Sequence, residues 1–150
     1  MGTSEPVRRV IDWSEYDELV SSIASQIPDE ETPDAIVGLT RGGLVPAVRL
    51  SHQYNAKLYC LNISLRDGMA DNNEFDWDRL ADYSNILIVD DINDSGKTLQ
   101  RVMDECYYQL IPMPKFAVLL EKPSSKFTCA YSGERINKKK EDDWIVFPWE

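Results

Sequence analysis

The stretch Ile86–Leu99 limits what this chain can fold into more than any other. It reads Ile86-Leu87-Ile88-Val89, then Asp90-Asp91-Ile92-Asn93-Asp94, then Ser95-Gly96-Lys97-Thr98-Leu99. Four consecutive apolar residues predict a strand buried on both faces, the kind found in parallel sheets covered by helices. Ser95-Gly96 predicts a tight turn with a helix opening behind it. In open α/β sheets, ligands bind beyond the carboxyl ends of the strands, at junctions of this kind. The first N–H groups of a helix have no intrahelical partner and can hold a phosphate. Ser95, Lys97 and Thr98 add hydroxyl and ammonium donors, and the carboxylates upstream suit sugar hydroxyls or a metal ion. The segment predicts a site for a phosphorylated sugar.

Spacing excludes a look-alike. Gly96-Lys97-Thr98 imitates the end of a Walker A loop, but the position five residues before Gly96 is Asp91, not glycine. The plainer alternative is an acidic turn with Asp94 as helix N-cap. Three carboxylates crowded after a buried strand repel one another unless a ligand or metal joins them, which favours a site. A second segment has the same build. Ala35-Ile36-Val37-Gly38-Leu39 predicts another buried strand, followed by the basic, glycine-rich turn Thr40-Arg41-Gly42-Gly43. Its glycines would allow unusual backbone angles and close approach of an anion. Arg41 can fork two hydrogen bonds to phosphate oxygens.

The rest of the chain bounds the possibilities. With 150 residues, 43% of them apolar, it reads as one domain, 1–150, able to bury a core. A net charge of −10 argues against nucleic acid or an anionic membrane as partner, and makes the basic residues of the two turns conspicuous. Cys60, Cys106 and Cys129 are odd in number and lack metal-ligand spacing, as expected for reduced thiols in the cytoplasm. No apolar run reaches membrane-spanning length, and the N-terminus lacks the apolar core of a signal peptide. The single histidine, His52, reads as structural.

Helical periodicity and a capping-box pattern at Ser14-Glu15-Tyr16-Asp17 predict a first helix ending before Pro28. After the strand at Ala35–Leu39 come a helix over Leu44–Tyr54 and a strand near Lys57–Ile63. Ser64–Tyr83 is polar and reads as a long excursion, of a length usually tied to function or disorder. A helix is expected from Lys97 to about Leu110 and a strand over Phe116–Leu120. Shorter pieces follow at Cys129–Ser132, Lys138–Lys140 and Trp144–Phe147. Strands alternating with helices imply an α/β fold with a mostly parallel sheet.

The Ile86–Leu99 segment resembles the phosphoribosyl diphosphate (PRPP) binding motif of the type I phosphoribosyltransferases: four apolar residues, an acidic pair, then Ile-x-Asp-Ser/Thr-Gly-x-Thr. The turn at Thr40–Gly43 resembles the diphosphate loop of that family, above all of its xanthine-guanine members. In relatives this loop carries a non-proline cis peptide, which would fall here at Thr40–Arg41. Pro114–Pro123 and Asp143–Glu150 resemble the closing third of the same enzymes, so the likeness runs from Ala35 to Glu150.

The resemblance implies the type I phosphoribosyltransferase fold, a central sheet flanked by helices. A small base-binding hood would lie at about 124–150 and a mobile loop at about 64–83. Relatives often carry a Ser-Tyr pair in that loop, whereas here it begins Ser64-Leu65-Arg66. Thr40, Arg41, Gly42 and Gly43 would grip the diphosphate, and Ser95, Gly96, Lys97 and Thr98 would cradle the 5′-phosphate. Asp90 and Asp91 would hold the ribose hydroxyls and Mg²⁺, directly or through water. Asp94, also at the PRPP site, would be the catalytic proton acceptor at purine N7. By position Lys115 matches the lysine that bonds the 6-oxo group, Trp144 the aromatic residue stacked on the base, and Ile145 the residue whose backbone meets the 2-substituent. The implied activity is purine salvage: transfer of 5-phosphoribose from PRPP to guanine, xanthine or hypoxanthine, by a homo-oligomer (dimer or tetramer). The alternatives are a PRPP-dependent transferase for another base, or a PRPP-binding regulator with the same fold.

Overall fold

The computed structural model of the protein describes residues 7–63 and 75–150. A short strand, β1 (Arg8–Val10), leads into helix α1 (Trp13–Gln26). Then come β2 (Ala35–Leu39), α2 (Leu44–Tyr54), β3 (Lys57–Leu61), β4 (Ile86–Asn93) and α3 (Lys97–Tyr108). The chain closes with β5 (Lys115–Glu121), β6 (Tyr131–Arg135) and β7 (Trp144–Val146). Five strands form one sheet in the order β3-β2-β4-β5-β6, and every neighbouring pair is parallel.

The unbroken apolar run of β4 has a direct cause. Leu87 and Val89 face one core with Leu19, Val20 and Ile23 of α1 and Leu50 of α2. Ile86 and Ile88 face the other core with Leu99, Val102 and Cys106 of α3. Successive strand residues point to opposite faces, so a strand covered on both sides has no place for an alternating pattern.

β4 also outruns its apolar stretch. It continues through the acids to Asn93, because Asp90, Ile92 and Asn93 keep pairing with Val118, Leu120 and Glu121 of β5. Chain order fixes where a ligand can sit. β2 has β3 on one side and β4 on the other, so successive crossovers diverge there and leave a crevice at the carboxyl ends of β2 and β4.

Three expectations change. The cap of α1 is Asp12, not Ser14: its Oδ1 accepts the Glu15 N–H at 2.8 Å, and the helix begins two residues earlier. The excursion Ser64–Tyr83 is shorter than its polarity suggests. Residues 64–74 lie outside the described residues, but Trp77 and Leu80 are buried in the core and Phe75 packs edge-on against Trp77. The hood does not begin at residue 124, because β6 joins the main sheet. β7 instead pairs with β1 in a separate two-stranded parallel ribbon, in the register Arg8 with Trp144 and Arg9 with Ile145. Arg9 ties this ribbon to the body: its guanidinium donates to Glu134 of β6 at 2.7 and 3.0 Å and to Glu15 of α1 at 2.6 Å.

Candidate active site

The turns after β2 and β4 meet at the crevice. Thr40 and Arg41 are joined by a cis peptide, as the resemblance implies. Gly42 and Gly43 follow, and their value is closeness rather than unusual backbone angles. Gly43 has φ −81°, and among the described glycines only Gly96 has a positive φ. A β-carbon on Gly42 would stand 2.1 Å from Asp91 Oδ2, and one on Gly43 would stand 2.3 Å from the Val89 carbonyl oxygen. The basic turn is therefore packed directly on the acids.

Asp90 and Asp91 are half-buried side by side. Asp90 Oδ1 accepts the Asp91 N–H at 2.8 Å, and Asp91 Oδ1 accepts the Ile92 N–H at 2.7 Å. Burial, joined by the neighbouring Asp91 charge, pushes the Asp90 carboxyl well above the usual range, and burial also raises that of Asp91. Such a pair favours a cation or several hydroxyl donors. Among the described residues, no three His, Cys, Asp or Glu side chains gather to hold a metal by themselves. Two carboxylates at a crevice open to ligand fit Mg²⁺, which keeps several waters and takes further oxygens from a phosphorylated substrate.

Beyond β4 the chain turns through Asp94 and Ser95 to Gly96, whose φ of +89° only glycine adopts freely. Helix α3 then starts at Lys97 with no side-chain cap, so Asp94 is not the N-cap. Thr98 and Leu99 line a hollow of about 60 Å³ together with Asp90 and the 92–96 segment, next to amides that lack helical partners. The structure thus gathers Thr40–Gly43, Asp90, Asp91 and Asp94–Thr98 at one place.

Lys115 is not there. It is the first residue of β5, opposite Leu87 at the amino-terminal end of the sheet, while Asn93 pairs with Glu121. β5 is seven residues long, so Lys115 lies about 20 Å from its other end at the usual rise. Its ammonium bonds Glu31, which also accepts from Tyr131 Oη at 2.7 Å. That contact raises the lysine's pKa and lowers the glutamate's. The lysine at the site is Lys122, the first residue after β5, whose Nζ lies 2.9 Å from Asp94 Oδ1. The signal was present in the sequence: Lys122 follows the apolar run Phe116–Leu120 as the acids follow Ile86–Val89, and carboxyl ends are where ligands bind. Asn93, buried at the end of β4, gave no comparable signal, because in the sequence it lies within the acidic turn.

Trp144 and Ile145 sit on β7 in the β1–β7 ribbon, Trp144 with 68% of its surface exposed. The segment leading to them touches the site's edge, where Glu141 Oε2 accepts the Ser124 N–H at 3.3 Å.

The chain has relatives in both sequence and fold. A model of the phosphoribosyl transferase domain matches residues 12–150. The xanthine-guanine phosphoribosyltransferase of Cereibacter sphaeroides is 34% identical over 139 residues, which cover 83% of this chain and 74% of that protein. The crystal structure of a purine phosphoribosyltransferase from Pyrococcus horikoshii superposes with a TM-score of 0.80 at 33% identity, over 95% of this chain and 94% of that one. The Helicobacter pylori xanthine-guanine-hypoxanthine phosphoribosyltransferase shares the fold, with a TM-score of 0.79 at 22% identity over 97% and 93% of the two chains. The acids on β4, the turn into α3 and the whole parallel sheet thus have one explanation: this chain belongs to the phosphoribosyltransferase family, with the fold of its type I members.

Proposed function

We propose that this protein is a purine-salvage phosphoribosyltransferase that moves 5-phosphoribose from PRPP to N9 of a 6-oxopurine. The C1′–oxygen bond to diphosphate breaks, the C1′–N9 bond forms, and the base gives up a proton. One observation carries the choice of base: an ammonium donor (Lys122) and a carboxylate acceptor (Asp94) stand 2.9 Å apart at the carboxyl end of the sheet. Oxygen O6 and nitrogen N7 are neighbours on one edge of a 6-oxopurine. Lys122 donates to O6, while Asp94 takes the proton at N7. Adenine offers an amino donor in place of O6, so two donors would face each other.

The remaining roles rest on position. Ser95, Gly96, Lys97 and Thr98 hold the 5′-phosphate, and Thr40, Arg41, Gly42 and Gly43 hold the diphosphate. Asp90 and Asp91 hold the ribose hydroxyls and waters of Mg²⁺. When bound, Mg²⁺ neutralises the departing diphosphate. Trp144 stacks on the base and the Ile145 backbone meets its 2-substituent. The three free thiols fit a reducing, cytoplasmic setting, and no described helix is long and apolar enough to cross a membrane. As the resemblance implies, the enzyme would work as a homo-oligomer, a dimer or tetramer.

The test is incubation with PRPP, Mg²⁺ and a panel of guanine, xanthine, hypoxanthine, adenine, uracil and orotate, with the nucleotide identified by mass. Nucleotides of the 6-oxopurines are expected. Preference for adenine or a pyrimidine would overturn the base assignment, and binding of PRPP without turnover of any base would make the protein a regulator.

A further inference from the structure

Lys122 belongs to a strap, residues 122–129, that leaves β5 and folds back over the turn between β4 and α3. The strap is docked by one buried side chain. Asn93, the last residue of β4, is 1% exposed. Its Nδ2 donates to the Phe127 carbonyl at 2.6 Å, and its Oδ1 accepts from Ser125 Oγ at 2.7 Å. The backbones join at the same place, with the Lys122 N–H on the Asn93 carbonyl at 3.0 Å and the Lys126 N–H on the Ser95 carbonyl at 3.3 Å. The strap presses so closely that a β-carbon on Gly96 would stand 2.7 Å from both Ser125 Oγ and Phe127 Cβ. A second tie holds its far end, where the buried Glu121 carboxylate accepts the Cys129 N–H at 3.1 Å.

A residue at this point of β4 could be apolar as far as the sheet is concerned, since the Ile92–Leu120 pair just before it is. An amide at this point instead meets a hydroxyl and a carbonyl of another segment with one acceptor and one donor. Buried polar groups left without partners are costly, so the three groups specify one position of the strap. That position puts Lys122 beside Asp94.

We infer that Asn93, through Ser125 and Phe127, is a positioning residue that clasps the 122–129 strap to the β4–α3 turn and so sets recognition of the base by Lys122. The inference rests on the reading of Lys122 as the group that meets O6. It separates two roles that share one turn. The phosphate cradle is built by α3 and Gly96, whereas the placement of Lys122 depends on the clasp.

Asn93→Leu and Ser125→Ala test it, each assayed by steady-state kinetics with guanine, adenine and PRPP varied in turn. Both variants should lower kcat/KM for guanine roughly ten- to a hundredfold, the scale of a misplaced reacting group. The PRPP KM should stay within about twofold, as only base contacts are disturbed. The preference for guanine over adenine should narrow, which a loss of fold stability alone would not cause. Ser125→Thr keeps the hydroxyl and should restore the wild-type preference. The double variant should be no worse than the poorer single one, since both break one clasp. Ser125 is only half-buried, so its variant decides the matter if Asn93→Leu does not fold. An unchanged guanine-to-adenine preference, or a PRPP KM that rises in step with the base KM, overturns the clasp. Lys122→Met run alongside tells the two ideas apart. If it leaves the base parameters unchanged, the reading beneath the clasp fails. If it alone changes them, the clasp fails and the reading stands.

Discussion

Lys122 Nζ lies 2.9 Å from Asp94 Oδ1, with the lysine side chain 17% exposed and the aspartate 71% exposed. The pair is asymmetric: the cation is held by the strap, while the anion faces the crevice. A base entering there competes for a proton donor that is already placed. Lys122→Met keeps most of the buried stem and removes only the charge. It should cost guanine, xanthine and hypoxanthine roughly 10- to 150-fold in kcat/KM, the equivalent of about 1.5–3 kcal/mol for a hydrogen bond to a charged group. Adenine should lose little, and parallel kinetics on the four bases will read the difference. Equal losses on all four would mean that Lys122 does not sense the 6-position.

Lys115→Met is the matching control at the opposite end of the sheet. Lys115 bonds Glu31 at the surface, and exposed ion pairs contribute little to stability. Turnover with every base should be unchanged and thermal stability nearly so. A selective loss of 6-oxopurine activity would return Lys115 to the site.

Asp90 gives a pH signature. Burial, with the Asp91 charge beside it, raises its pKa in the folded chain well above the ordinary carboxylate value of about 3.9. Between those two values the folded chain binds more protons than the unfolded chain, so stability falls as pH rises, and above the raised value the whole penalty is present. Asp90→Asn removes the penalty. Its melting temperature should exceed that of the wild type at about pH 8, by roughly 2–4 °C for each kcal/mol in a chain of this size. The gap should close as pH falls toward the ordinary carboxylate value of about 4, while PRPP-dependent activity is lost at every pH. A variant less stable than the wild type at pH about 8 would contradict this sign.

The two glycines of the diphosphate turn should fail in different ways. The atoms nearest a methyl on Gly42 all belong to the Asp91 carboxylate, a side-chain end that can swing aside. Gly42→Ala should therefore raise the PRPP KM with little change in unfolding by urea. A methyl on Gly43 meets the main chain of Val89, Leu39 and Asp90, at 2.3, 2.8 and 2.9 Å. Backbone cannot swing aside, so Gly43→Ala should cost about 1–3 kcal/mol of stability, the usual cost of overpacking. The same urea curves check both.

The sequence by itself determined the chemistry of the two turns. An unbroken apolar run signals burial on both faces, and the residues just beyond a buried strand in such a sheet lie where ligands bind. Asp90, Asp91 and Asp94–Thr98 needed only their neighbours in the chain to be recognised, because strand, turn and helix start are local events. Lys122 is legible by the same rule, applied to Phe116–Leu120.

Other features were decided between distant segments. That the Gly42 turn presses on Asp91 is a consequence of β2 lying beside β4. That the ribbon carrying Trp144 uses the N-terminus is a consequence of β1 pairing with β7, Arg8 opposite Trp144, although a strand of three residues with two arginines carries little local signal. Burial of Trp77 and Leu80 depends on a core built by β2, β4 and α3, so their polar surroundings mislead. Asn93 reads as part of an acidic turn until β5 and the strap supply the Phe127 carbonyl and the Ser125 hydroxyl. Local patterns record what each residue needs, burial, a turn or a charge, whereas the partner that meets the need is chosen by strand order and register over separations of 32 to 136 residues.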